Sequence, residues 1–275
     1  MKTILITGAT DGIGFATAQT LATHYLAKES HHLLVHGRSA DKLAKLVANL
    51  KGLNKDSKIT PYQSDLSVVE EVKAMVAEIK DNHQHIDVII NNAGVFKTNK
   101  TLTNDNLDIR FMVNTIAPYI ITQSLTDIMD VNSRVINLSS AAQQSLSPNE
   151  ITANATHTDN QAYAKSKLAI TMWSKHLAKT YQGKGPMIVA VNPASMLGSK
   201  MVKDAYGVSG GDIQIGADIL IKAALSDEFA NANGLYFDND SGRFTNPHPD
   251  ALDEGKNAAI VSTIEGYLAA PHISQ

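Results

Sequence analysis

The stretch Thr7-Gly8-Ala9-Thr10-Asp11-Gly12-Ile13-Gly14 directly follows the apolar run Ile4-Leu5-Ile6. A short β-rich run, a cluster of glycines and then an Ala/Thr/Leu helical pattern describe a strand that turns sharply into a helix. Gly8 permits the tight turn, and Gly12 leaves no Cβ between the backbone and a bound pyrophosphate. Gly14 lets the helix pack closely on the strand, and the helix N-terminus offers free N–H groups to an anion. The spacing is Gly-x-x-x-Gly-x-Gly, not the Gly-x-Gly-x-x-Gly of the commonest dinucleotide fingerprint. A glycine-rich turn of an α/β domain with no nucleotide is therefore the alternative reading.

Downstream, strand and helix patterns alternate. Helical spacing runs from Phe15 to Lys28, and His31 to His36 reads as a buried strand ending at Gly37-Arg38-Ser39. Ala40 to Leu50 is helical, with Leu43, Leu46, Val47 and Leu50 on one face. Lys58 to Gln63 is a weaker strand whose Pro61 argues for an edge or a strand start. Ser67 is a candidate cap for a helix to about Lys80, and Ile86 to Ile90 is a strand closed by Asn91-Asn92-Ala93-Gly94. A long helix is expected over 104–129, a strand over 134–138, a surface loop over 145–160 and a helix over 161–181. Strands over 186–191 and 234–237 flank a helix over 213–225. This alternation without long linkers predicts one α/β domain over 1–275, a doubly wound parallel sheet of about seven strands with helices on both faces. Ligands gather at the carboxyl ends of such strands, so the residues just after each strand are the ones to read for chemistry.

Composition narrows the function. The 275 residues are 43% hydrophobic and 19% charged, ordinary for a protein that buries a sizeable core. A net charge of -3 without a basic block gives no reason to expect nucleic acid. Cysteine is absent, which excludes disulfides, thiolate catalysis and cysteine-ligated zinc. No apolar run approaches the roughly 18 residues of a membrane span. Met1-Lys2 leads straight into the first strand, so no signal peptide and a cytoplasmic location are expected. His31/His32 and His83/His85 fall outside the strand ends that matter, and no metal site is expected.

Gly37 and Arg38 end the second strand where an NAD-type site carries an acidic residue. A guanidinium there suits a 2′-phosphate, which favours NADP(H) while leaving NAD(H) open. A solvated arginine is the alternative, and Asp11 brings a negative charge near the same place. Asp65 is placed to accept from an adenine amino group or to cap a helix. Asn92-Ala93-Gly94 forms a small turn beside the expected nicotinamide half. Tyr163 and Lys167, four apart, share one helix face. Bringing a phenol pKa from about 10 to about 7 needs roughly 4 kcal/mol. One charge about 4 Å away at an effective dielectric of about 20 supplies roughly that much. A half-buried tyrosine followed by a solvated lysine is the plainer reading. Ser140, at the end of the preceding strand, is positioned to hydrogen-bond a substrate carbonyl and tips the balance.

Taken together, the opening glycine turn, Asn91-Asn92-Ala93-Gly94, Asn114, Asn137-Leu138-Ser139-Ser140, Tyr163-Ala164-Lys165-Ser166-Lys167 and Asn192-Pro193 resemble the short-chain dehydrogenases/reductases over essentially the whole chain. Phe111 to Asn114 and Tyr163 to Lys175 further resemble the retinol-dehydrogenase-like and WW-domain-oxidoreductase-like branch. The resemblance implies a Rossmann-type fold, an alcohol/carbonyl substrate and a homodimer or homotetramer. It implies Tyr163 as proton donor or acceptor, Ser140 as the residue that orients the substrate oxygen, and Ser139 as the lesser candidate. Lys167 would depress the tyrosine pKa and hold the nicotinamide ribose, and Asn114 would interrupt its helix and hold a water. Hydride would pass between C4 of the nicotinamide and the substrate carbon. The cofactor would lie against Gly8, Thr10, Asp11, Gly12, Ile13, Gly14, Arg38, Ser39, Asp65, Leu66, Asn92, Ala93, Gly94, Tyr163, Lys167, Pro193, Ala194, Ser195 and Met196.

Three departures from the family stand out. An inserted rim loop spans about 143–160, Ala194 stands where glycine commonly follows the proline, and Leu197-Gly198-Ser199 replaces a stretch ending in threonine. A substrate lid is expected over about 194–212, with Gly207, Gly210 and Gly211 as hinges. Its Met196, Leu197, Met201, Val202 and Tyr206 suggest an apolar-leaning pocket, although a helix packed on the body would look similar. Asp238-Asn239-Asp240-Ser241-Gly242 reads as a solvated turn, and Trp173 as core or interface packing. Two other readings stand beside the alcohol/carbonyl one: a C=C reductase or sugar epimerase of the same family, and a non-enzymatic NADP(H)-sensing protein.

Overall fold

The computed structural model describes residues 1–25, 31–55, 58–152 and 157–270. At its centre β1 (Lys2–Ile6) lies between β2 (His31–Gly37) and β4 (Val88–Asn91), with Ile4 opposite both Leu33 and Val88. β3 (Lys58–Gln63) borders β2 and ends the sheet on that side. On the other side follow β5 (Arg134–Leu138), β6 (Met187–Asn192), β7 (Tyr236–Asp238) and β8 (Arg243–Thr245). All pairings are parallel except the β7–β8 hairpin. The short eighth strand adds one to the seven expected. Its three residues are exposed, so Arg243-Phe244-Thr245 carries no buried apolar run to mark it. Pro61 sits on the edge strand, where its missing N–H costs no ladder bond.

Alternate residues of the central strands feed opposite faces. Leu5, Ile89, Val135 and Ile188 point to one apolar layer, and Ile4, Ile6, Ile90, Ile136 and Val189 to the other. The first layer is closed by α3 (Val69–Asn82), α5 (Ala117–Leu125), α6 (Asp159–Thr180) and α9 (Glu254–Ala269). Against the second lie α1 (Gly12–Thr20), α2 (Ala40–Leu53) and α8 (Gln214–Leu225). Trp173 is fully buried in the first layer, edge-on to Tyr119, and donates to the Thr115 carbonyl. Strand order reverses between β1 and β4, which opens a crevice at their carboxyl ends.

Several expected elements are rearranged. The first helix passes at Leu21–Tyr25 into a π turn, and the rest of its expected range, 26–28, lies outside the described residues. The single helix expected over 104–129 is broken into α4 (Ile109–Phe111), a π turn at Met112–Ile116 and α5. Pro118 explains the break: it has no N–H to give the Asn114 carbonyl, and its ring crowds that carbonyl. The Ala117 N–H reaches back to Met112 instead, the longer step of a π turn. Ser67 does not cap α3; Asp65 accepts from the Ser67 N–H, and the helix starts at Val69. α6 starts at Asp159, where Thr158 and Gln161 form a capping box, and Pro148–Ile151 of the expected surface loop is a 3₁₀ turn. Residues 153–156 of that loop lie outside the described residues. The carboxyl-terminal α9 was not among the expected elements.

Candidate active site

The opening turn is locked to the turn after β4. Thr7 Oγ1 accepts from the N–H groups of Asn92 and Ala93, both at 3.0 Å. The Asn92 amide donates back to the carbonyls of Thr7 and Gly8, at 2.9 and 3.1 Å. Gly8 has φ +64°, and a Cβ there would stand 2.8 Å from the Ala93 Cα. A side chain on Gly14 would overlap the Asn92 amide and the Gly8 carbonyl. Gly12, at φ +57°, is different: its nearest neighbours would be Ser199 Cβ at 3.7 Å and Ile213 Cδ1 at 4.0 Å. Two glycines therefore serve close packing and the third keeps the crevice open, the cradle a diphosphate needs. Asp11 caps α1 through the Gly12 N–H, Thr10 packs on Gly37, and Ile13 packs on Gly216 of α8.

At the ends of β2 and β3, Arg38 is largely exposed, with Nη1 3.8 Å from Asp65 Oδ2. Ser39 caps α2 by accepting from the Lys42 N–H at 3.4 Å. Lys42 Nζ lies 3.3 Å from Asp11 Oδ2, so the anionic group in the glycine turn has a cationic partner that the sequence analysis did not single out. The Leu66 side chain is buried in the first apolar layer.

The other half of the site is built on α6 and β5. The Ser140 hydroxyl lies beside Tyr163 and favours its phenolate form. Ser139 is buried and committed elsewhere, its Oγ bonded to Thr171 Oγ1 at 2.7 Å and to the Lys167 carbonyl at 3.2 Å. Tyr236 and Gln143 both donate to the Ser140 carbonyl at 3.0 Å, which pins that residue from the sheet edge and the rim. Lys167 Nζ donates to the Leu138 carbonyl at 2.7 Å and lies 5.7 Å from the centre of the Tyr163 ring. Burial lowers the Lys167 pKa to about 8. Burial also pushes the Tyr163 phenol above its usual value, against the smaller opposing effect of the neighbouring Ser140 hydroxyl. The depressed tyrosine pKa expected from the sequence is thus not a property of the protein alone.

Asn114 sits in the π turn, where its Oδ1 accepts from the Val95 N–H at 2.8 Å. Its Nδ2 donates to the Val95 carbonyl and to Ser166 Oγ. A Cβ on Gly94 would lie 3.4 Å from Asn114 Oδ1 and 3.7 Å from Lys167 Nζ, so Asn114, Lys167 and Gly94 meet at one point. Phe96 covers the group, 4.7 Å centre to centre from Tyr163 and 5.9 Å from Tyr206. Neither Phe96 nor its contact with Tyr163 was marked by spacing in the sequence.

After β6, Pro193 leads into two non-glycine residues with positive φ, Ala194 at +111° and Met196 at +55°. Between them Ser195 gives its N–H and Oγ to Asp240, at 2.8 and 2.6 Å. Asn192 donates to Asp238 and Asp240, and Asn239 to the Pro193 carbonyl. The acidic turn expected to be merely solvated is therefore a clasp on this loop. Ser199 caps α7 (Lys200–Tyr206), accepting from the Val202 N–H. Among the described residues no group of three or more His, Asp or Glu could hold a metal ion, and no helix is long and apolar enough to cross a membrane.

A mostly parallel sheet thus carries a glycine turn at its switch point, the place where doubly wound folds bind nucleotides, with Ser140, Tyr163, Lys167 and Asn114 gathered close by. The sequence matches the short chain dehydrogenase family over residues 2–206, and the chain belongs to that family. Human retinol dehydrogenase 13 is 26% identical over 272 residues, covering 92% of this chain and 80% of that protein. WW domain-containing oxidoreductase of Drosophila melanogaster is 28% identical over 255 residues, 86% of this chain and 62% of that protein. Among solved structures, an uncharacterised protein from Mycobacterium Paratuberculosis superposes with a TM-score of 0.77 at 21% identity, over 97% of this chain and 92% of that one. A Burkholderia cenocepacia short chain dehydrogenase in complex with NADP gives a TM-score of 0.68 at 22% identity, over 86% and 95%. The chain is an NAD(P)-dependent oxidoreductase acting on a small molecule.

Proposed function

We propose that this protein interconverts an alcohol and a carbonyl, with NADP(H) preferred over NAD(H) and Tyr163 as the acid/base. The observation that carries the reading is Tyr163 beside the Ser140 hydroxyl, with the ammonium of buried Lys167 5.7 Å from its ring centre. Bound NADP(H) supplies or receives the hydride at its nicotinamide ring. Ser140 orients the substrate oxygen, since Ser139 is already spent on Thr171 and the Lys167 carbonyl. In reduction the Tyr163 hydroxyl gives its proton to that oxygen, and the phenolate left behind is stabilised by the Lys167 ammonium. Asn114 holds the Val95 backbone and keeps Gly94 beside Lys167. Arg38 serves the 2′-phosphate, and Lys42 offsets Asp11 at the same edge.

Residues 194–212 act as the lid, which Lys97 holds by donating to the Ala205 carbonyl at 2.8 Å. Residues 143–152 and 157–160 form the rim. Phe96, Leu197 and Tyr206 favour an apolar substrate. Two relatives, retinol dehydrogenase 13 and human polyprenol dehydrogenase, are named for apolar alcohols, which supports the same class. The test is cofactor oxidation over a panel of aldehydes and ketones. Long-chain or ring carbonyls should oxidise NADPH faster than NADH. NADPH that binds but is oxidised by no carbonyl would instead favour a sensing protein.

A further inference from the structure

His36, the penultimate residue of β2, is 3% exposed and touches both halves of the nucleotide edge. The Gly8 N–H donates to its Nδ1 at 3.1 Å, and its Nε2 lies 3.0 Å from the Ser64 carbonyl. A carbonyl only accepts and a backbone N–H only donates, so these partners fix the ring as the neutral tautomer with its proton on Nε2. The His36 carbonyl also accepts from the Ala9 N–H at 2.9 Å. Gly8 is therefore gripped on both sides, its N–H by His36 and its carbonyl by Asn92. Ser64, at the other end of the imidazole, immediately precedes Asp65 and the Arg38–Asp65 pair.

We propose that His36 is a positioning residue for cofactor binding: its Nδ1 accepts from the Gly8 N–H and so fixes the glycine turn, while Nε2 against the Ser64 carbonyl fixes the tautomer that leaves Nδ1 free to accept. This rests on the reading of that edge as the NADP(H) site. The ring acts through Gly8 and Ser64 and needs no contact with the cofactor. Burial lowers the His36 pKa, which keeps the acceptor at Nδ1 unprotonated, against the smaller raising effects of the Ser64 hydrogen bond and of Asp65.

Two substitutions separate the two ends of the ring. In His36→Asn the amide oxygen occupies the place of Nδ1 and still accepts from Gly8, whereas His36→Gln keeps a donor for Ser64 and loses the acceptor. NADPH binding is measured by the change in its fluorescence, and turnover at saturating NADPH with a carbonyl substrate. His36→Gln should raise the NADPH Kd about tenfold or more with kcat unchanged, and His36→Asn should stay within about threefold of wild type. Nitrogen-15 NMR of the unliganded wild type should show His36 protonated on Nε2 alone, a result that needs neither variant to fold.

Equal binding by both variants and wild type, or equal loss in both, overturns the proposal, as does a proton on Nδ1. If wild type binds NADPH without reducing any carbonyl, the proposed reaction falls while the His36 comparison still decides this point. If wild type binds no NADPH, both fall.

Discussion

Lys167 faces Tyr163 across 5.7 Å, ammonium nitrogen to ring centre, while its Nζ donates to the Leu138 carbonyl. Both groups are pushed by burial toward their neutral forms. Such an arrangement stores an unfavourable charge in the folded protein for use when a phenolate develops beside it.

The first consequence is a trade between stability and activity. Burial lowers the Lys167 pKa from the ordinary lysine value to about 8, so the unfolded chain binds a proton more tightly than the folded one. That penalty is fully present below about pH 8 and is relieved as pH rises from about 8 toward 10.4, the ordinary lysine value. Lys167→Met removes the charge and keeps the volume. After allowing for the lost bond to Leu138, it should stabilise the fold at neutral pH by about 1–2 kcal/mol, read by chemical denaturation. The same variant should lose most of its turnover. In wild type, kcat for carbonyl reduction should decline above about pH 8 as the ammonium is lost.

Cofactor discrimination should divide between two cations. Arg38→Ala removes a guanidinium with one distant partner, Asp65, and should weaken NADPH binding about tenfold or more while leaving NADH within about twofold. Lys42→Ala leaves Asp11 unpaired at the mouth of the turn and should also penalise NADPH more than NADH. Equal losses for both nucleotides in Arg38→Ala would count against the 2′-phosphate assignment. Binding titrations with the two nucleotides measure the difference.

Ala194 offers a test of backbone strain. A φ of +111° suits glycine, and an alanine there carries a cost of about 1–3 kcal/mol, offset in part by the larger chain entropy of glycine when unfolded. Ala194→Gly should therefore raise the melting temperature by a few degrees, roughly what 1 kcal/mol does in a domain of this size. A lower melting temperature would mean that the strain is absorbed by the Asp240 clasp on Ser195.

What could be read from the chain follows from how local each feature is. The glycine turn and the Tyr163/Lys167 pair are set by spacings within a few residues, and both lie at the carboxyl edge as expected. The break at Asn114 was expected from the family resemblance alone; Pro118, four residues on, carries the local signal, but the apolar residues on either side read as one helix. The clasp of Asp240 on Ser195 joins residues 45 apart, and His36 reaches Gly8 and Ser64 across 28 in each direction. No periodicity records such pairings; they follow only from the strand order. Strand β8 is too short and too exposed to read as a strand, and α9 buries only Asn257, Ile260, Val261 and Ile264 among small and polar residues. The raised Tyr163 pKa was missed for another reason: spacing reveals a nearby charge but not how much water both groups have lost.

The role of Tyr163 is tested most directly by following deuterium from NADPH labelled at the transferring position of its nicotinamide into the alcohol product, in wild type and in Tyr163→Phe. Wild type should deliver the label to the former carbonyl carbon. Tyr163→Phe should bind NADPH with unchanged affinity and form labelled product at least about a hundredfold more slowly. Labelled product at an undiminished rate in the variant would contradict the assignment of Tyr163 as the proton donor.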